Sequence, residues 1–266
     1  MEIRQHALDC LAIQSPAEKV KAVSNLQQQY LNQQIALQPQ NQIALNQTIP
    51  GVPQKPELVS PREVKRRAMN TEEGHAAMIH ALAHIEFNAI NLGLDAVWRF
   101  ADMPEEYYAD WLKVAAEEAY HFSLLDAHLN KLGSQYGDFN AHGSLWEMAE
   151  KTKDDVLARM ALVPRTMEAR GLDASPALRN KLAQIGDLEA AAILDIILRD
   201  EIGHVAIGNH WFNYLCEQGQ LEPISTYANL AKQYEAPTLR KPFNHPARLA
   251  AGFTEAELDW LENPFG

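Results

Sequence analysis

Four stretches of this chain each set one glutamate inside an apolar stripe that repeats at helical spacing. Glu86 stands among Ile79, Leu82, Ala83, Ile90 and Gly93, and Glu118 among Trp111, Val114, Ala115, Phe122 and Leu125. Glu168 follows Leu157, Met160, Ala161 and Pro164, and Glu201 lies with Leu194, Ile197, Leu198, Val205 and Gly208. A carboxylate turned into a core is costly unless it is paired or holds a cation. No stretch shows the period-two alternation of a half-buried strand. The chain therefore reads as all-α, with four long helices turning their acids inward.

Two of these glutamates open a Glu-x-x-His motif, Glu118–His121 and Glu201–His204. Residues three apart share a helix face, so carboxylate and imidazole can grip one ion. A third copy, Glu72–His75, falls in a first helical turn and is set aside as a decoy. The remaining order along the chain is Glu, Glu-x-x-His, Glu, Glu-x-x-His, the ligand pattern of ferritin-like di-iron and di-manganese carboxylate proteins. Its spacing is symmetric: 32 residues from Glu86 to Glu118, 50 to Glu168 and 33 to Glu201. Equal outer gaps suit two helical hairpins joined by a crossover. The expected metal ligands are Glu86, Glu118, His121, Glu168, Glu201 and His204. Four carboxylates and two imidazoles make a hard donor set, and thiolates are absent from it, which argues against structural zinc or an iron–sulfur cluster. Glu117 and Asp200 precede the two motifs and are expected to hold the far ring nitrogens of His204 and His121. Glu117 also competes with Glu118 as a ligand, and the apolar stripe favours Glu118. His80 and His84 read as structural histidines, and Trp98, Tyr120 and Trp211 as core packing.

The rest of the chain frames these helices. Residues 1–62 form an N-terminal helix and an extended arm, and 63–266 the metal-binding body with C-terminal helices. Ser15-Pro16-Ala17-Glu18 starts a helix within a helical stretch reaching residue 37. Pro50, Pro53, Pro56 and Pro61 mark extended chain, read either as a wrapping arm or as a flexible linker. Asn70 is expected to cap the first long helix, and Pro104 to start the second, which ends at Gly133. Ser144 starts a third helix running to Gly171 with a kink at Pro164. Ser175-Pro176 starts a short one, Asp187 caps a fourth long helix, and Thr254 caps a terminal one. The formal charge of −12 disfavours nucleic acid and anionic membranes. Two distant cysteines, Cys10 and Cys216, fit a reducing cytoplasm, and neither a signal peptide nor a membrane span is recognised.

The strings His84-Ile85-Glu86-Phe87-Asn88-Ala89-Ile90-Asn91-Leu92, Asp95 to Phe100, Ala116 to Phe122, Met160 to Arg165 and Arg199 to Ala206 resemble the bacterial ferritin-like family catalogued as domain of unknown function 455. The resemblance runs from about Pro50 to Leu261. More distantly, the pattern is similar to the di-iron tRNA hydroxylase and to demethoxyubiquinone hydroxylase. These resemblances imply two iron ions, with manganese as the alternative, that activate O2 with electrons from an external donor. The leading expectation is a hydroxylase or oxidase of unknown substrate, served by an electron-transfer partner. The alternatives are ferroxidation, iron storage or peroxide scavenging, and a metal-free helical binding module. A modified tRNA is a further candidate substrate, for which Lys65-Arg66-Arg67, Arg165 and Arg170 would supply phosphate contacts.

Overall fold

The computed structural model describes residues 2–65 and 67–263. It is all-α, and no strand occurs among the described residues. The chain divides into two compact units, Met1–Trp146 and Glu147–Gly266.

In the first unit, α1 (Ile3–Leu11) and α2 (Pro16–Leu31) pack on a long pair, α3 (Glu72–Arg99) and α4 (Glu105–Lys131). Ser15 caps α2 by accepting from the Glu18 N–H, and Pro16 occupies the first turn, where its missing donor costs nothing. The helical stretch expected to reach residue 37 ends at Leu31, where Gln33 takes a positive φ. Thr71 rather than Asn70 caps α3, its hydroxyl accepting from Gly74 N at 3.1 Å. Pro104 precedes α4, and Gly133, at φ 77°, follows its end. Gly93 lets the long pair close: a Cβ there would lie 3.0 Å from both the backbone N and the Cβ of Ala115.

The proline-rich arm is fastened to this unit. The Gly51 N–H donates to Leu11 O at 2.8 Å. Val59 donates to Ala141 O, and Ala141 in turn to Glu57 O. Buried Arg4 donates to Pro39 O and Asn41 O on the arm and to Trp98 O at the end of α3. Buried Lys19 gathers the C-terminal carbonyl of α1 (Leu11), the carbonyl of Gly51 and the amide oxygen of Asn91 around one ammonium.

Helix α5 (Ser144–Lys151) carries the division between the units. The second unit holds α6 (Val156–Leu162), a π-helical segment (Val163–Glu168), α7 (Ala169–Gln184), α8 (Leu188–Gln218), α9 (Pro223–Gln233), α10 (His245–Ala250) and α11 (Glu255–Glu262). The single helix expected from Ser144 to Gly171 is broken. Residues 152–155 leave the helix, and Asp155 caps a new start at Ala158 N. Pro164, which has no N–H, does not end the helix, because the backbone widens into the π segment. The Thr166 hydroxyl donates to Ala161 O at 2.8 Å inside that turn. Helix α7 then continues through Pro176 instead of restarting there. Asp187 caps α8, and Thr254 with Glu257 forms a reciprocal capping box on α11. Gly208 admits the π segment against α8, since a Cβ there would fall 2.5 Å from Pro164 Cβ.

Candidate metal centre

The close approach of α3 and α4 at Gly93 and Ala115 sets the acids one to two turns away against each other. Glu86 from α3 meets Glu118 and His121 from α4, and all three are buried, Glu118 and His121 with no exposed surface. His121 Nδ1 lies 3.3 Å from Glu86 Oε2 and 3.3 Å from Glu118 Oε2. These residues each offer a ligand atom, and the atoms lie within 4.8 Å of one another.

The electrostatics explain what such a cluster lacks. Burial raises the Glu86 pKa well above the usual carboxylate range, and the Glu118 charge adds to that; the His121 imidazole pulls against it. For His121, burial alone favours the neutral ring. The hydrogen bonds and charges of Glu118 and Glu86 outweigh it and lift the pKa to about 11. Two acids and one imidazole in a dry interior therefore hold a proton tightly, because positive charge is what they are short of. A divalent cation supplies that charge better than a proton, and this donor set fits one. The ring nitrogen facing both carboxylates is Nδ1, so it is the atom of His121 that could ligate an ion.

In the second unit, α8 carries Glu201 and His204 on its inward stripe with Leu194, Ile197 and Val205. His204 is fully buried, and its Nδ1 lies 3.6 Å from Glu201 Oε1. The motif thus has the same local form in α8 as in α4. Glu168 is the last residue of the π segment, half-buried, where the backbone returns to α geometry. A π turn carries an extra residue per turn, so it re-aims the side chains that follow it, and such turns recur at functional sites.

Glu117 is partly exposed, 3.7 Å from Lys113, while its neighbour Glu118 is buried as the apolar stripe requires. Asp200 receives two hydrogen bonds from the adjacent Arg199. His84 bonds the Tyr136 hydroxyl through Nδ1 at 2.8 Å, and His80 Nε2 accepts from Gly137 N at 2.9 Å. Both histidines fasten the loop after α4, and burial lowers each pKa to about 4. Trp98 and Trp211 are buried, but Tyr120 is 51% exposed, because it faces away from the stripe that holds His121.

Arg165 is not the surface cation that its sequence context suggests. Its guanidinium is buried, donates to Asn209 and Glu257, and lies over the rings of Phe212, Tyr227 and Phe253. Arg170 is exposed. In the run Lys65-Arg66-Arg67, Arg66 lies outside the described residues, and Arg67 pairs with Glu73 at 2.7 Å. Cys10 and Cys216 are buried and unbridged. Among the described residues no helix is long and apolar enough to cross a membrane.

Comparison with known proteins places matches along nearly the whole chain. The family model described as protein of unknown function (DUF455) matches residues 12–259. A curated protein of Haemophilus influenzae, described as an uncharacterized protein, is 49% identical over 97% of this chain and 92% of its own length. No solved structure matches.

Proposed function

The chain belongs to the family described as protein of unknown function DUF455, and we propose that it is a ferritin-like carboxylate protein that binds two iron ions and uses them as an O2-activating hydroxylase or oxidase. The observation that carries this reading is the buried set of Glu86, Glu118 and His121, with both carboxylates drawn to one imidazole. The step from one set to two rests on ligand types: Glu168, Glu201 and His204 repeat the same composition, and α8 repeats the α4 motif in its local geometry. Two bound ferrous ions would supply the electrons that activate O2 for attack on a substrate C–H bond, with an outside donor restoring them.

The chain's own residues do the rest. Glu86, Glu118, Glu168 and Glu201 set the charge that selects a hard divalent ion. His121 and His204 ligate through Nδ1, which leaves Nε2 as the atom that a neighbouring acid would hold to fix the ring. Ile79, Ala83, Ile90, Val114, Ala115 and Phe122, which share the stripes of Glu86 and Glu118, are all buried and would form an apolar wall beside the first set. Such a wall strengthens charge interactions inside it.

The test is anaerobic loading with ferrous iron, metal counting, then exposure to oxygen under optical and Mössbauer spectroscopy. We expect about two irons per chain and oxidation with spin coupling between them. Uncoupled iron, or none, would overturn the reading. Coupled iron that only accumulates as ferric mineral would instead assign the protein to iron storage.

A further inference from the structure

Helices α3 and α4 meet in a fixed order. Gly93 meets Ala115, Glu86 meets Glu118 and His121, and at the start of α3 His75 meets His128. Position falls on one helix as it rises on the other, so the pair is antiparallel, and the register that assembles the carboxylate set also brings two histidines together. We propose that His75 and His128 form a separate binding site for a borderline divalent cation, with zinc as its representative.

The two residues offer ring nitrogens within 4.8 Å of each other. Two nitrogens bonded to one tetrahedral zinc at about 2.0–2.1 Å sit roughly 3.4 Å apart, so a small side-chain rotation closes the site. The rings do not stack: their centroids are 6.5 Å apart and their planes 59° from parallel. One ligand is anchored and the other can adjust, since His128 is buried and His75 half-buried at the helix start. That half-buried edge gives an ion a way in. Glu72, exposed and three residues before His75, shares its helix face and adds negative charge there. The third Glu-x-x-His of the chain, set aside as a decoy for the carboxylate centre, thereby acquires a use of its own.

This is a different ion in a different place. His75 lies about 16 Å along α3 from Glu86, and His128 about 10 Å along α4 from His121, at 1.5 Å per residue. The donors differ in kind as well. Imidazole nitrogens suit zinc, nickel and copper, whereas the carboxylate set is hard and oxygen-rich.

The test titrates the purified full-length chain with zinc chloride, by calorimetry and by elemental analysis after desalting. Zinc and resident iron are counted separately, so the result stands apart from the proposed function. Wild type should gain one zinc per chain without losing iron. His75→Asn and His128→Asn should each lose that zinc, with iron content and helical circular dichroism unchanged. His75 is half-buried, so its variant keeps the test valid even where the buried His128→Asn destabilises the chain. No zinc uptake by wild type, uptake that survives both substitutions, or zinc that enters only by displacing iron would overturn the proposal.

Discussion

At the scale of single residues, cost of burial decides what the side chains are for. Glu118 and His121 have no exposed surface, and a lone charge there would be severely destabilising. Substituting both Glu118 and Glu201 by Ala should bring metal content well below half of the wild-type value, while Glu72→Ala should leave iron unchanged. Full iron content in the double variant, measured by plasma emission, would remove these residues from the ligand set. Lys19 gives a second residue-scale prediction. Burial lowers its pKa from 10.5 to about 7, while its ammonium faces Leu11 O, Gly51 O, Asn91 and, 5.0 Å away, the Phe87 ring. The titratable neighbour is Cys10, whose thiol is pushed up to about 12, first by burial, and stays neutral. Between pH 7 and 10.5 the unfolded chain binds the Lys19 proton more strongly than the folded chain does. Stability should therefore rise with pH across that window, by at most about 1.4 kcal/mol per pH unit from this residue. Lys19→Met should be less stable overall and should lose that part of the slope. Parallel urea-unfolding profiles for the two proteins between pH 7 and 10 would refute it.

At the scale of elements, glycine positions separate helices that must touch from helices that need not. A Cβ at Gly93 meets the Ala115 backbone, which cannot yield, so Gly93→Ala should push α3 from α4. We expect a loss of about 1–3 kcal/mol, typical of overpacking, together with weaker metal binding as Glu86 moves off Glu118. Gly203 lies inside the second Glu-x-x-His motif with nothing within 4 Å of its Cβ position. Gly203→Ala should therefore stabilise α8 by about 0.5–1 kcal/mol and leave metal content unchanged. Thermal melts and metal counts on the pair check both directions. The same contrast shows what a sequence can and cannot reveal about these elements. Caps are local, so Ser15, Asp187 and Thr254 announce their helices, and inward stripes are periodic, so Glu86, Glu118 and Glu201 stand out. The π segment depends instead on a contact made far along the chain, Pro164 against Gly208. Proline alone signals an interruption, not its form. The burial of Arg165 is hidden from its local sequence for a related reason, because Asn209, Glu257 and the rings over which it lies are far along the chain.

At the scale of the whole molecule, the carboxylate set couples folding to its ligand. A metal that binds the native state and not the unfolded one stabilises it by mass action, about 2.7 kcal/mol at a free concentration one hundred times Kd. Removing it leaves clustered acids that repel each other and take up protons. Chelation should therefore lower the melting temperature by several degrees while helical circular dichroism persists at 25 °C. An unchanged melting temperature, with metal loss confirmed, would count against a buried ion.

The arm of the first unit has a consequence for how the protein is born. Val59 and Glu57 close on Ala141, so the last attachment of the arm lies far downstream of it, while Arg4, Leu11 and Lys19 hold its earlier part from upstream. Contacts of such long sequence separation cannot form until the later segment exists, and their loop-closure entropy delays them further. During synthesis the bonds of Gly51 to Leu11 and Lys19 can form early, whereas Glu57 and Val59 have no partner until the loop after α4 has emerged. The end of the arm nearest α3 is thus among the last parts to settle, and the prolines that keep the arm extended also keep it from pairing with itself in the meantime.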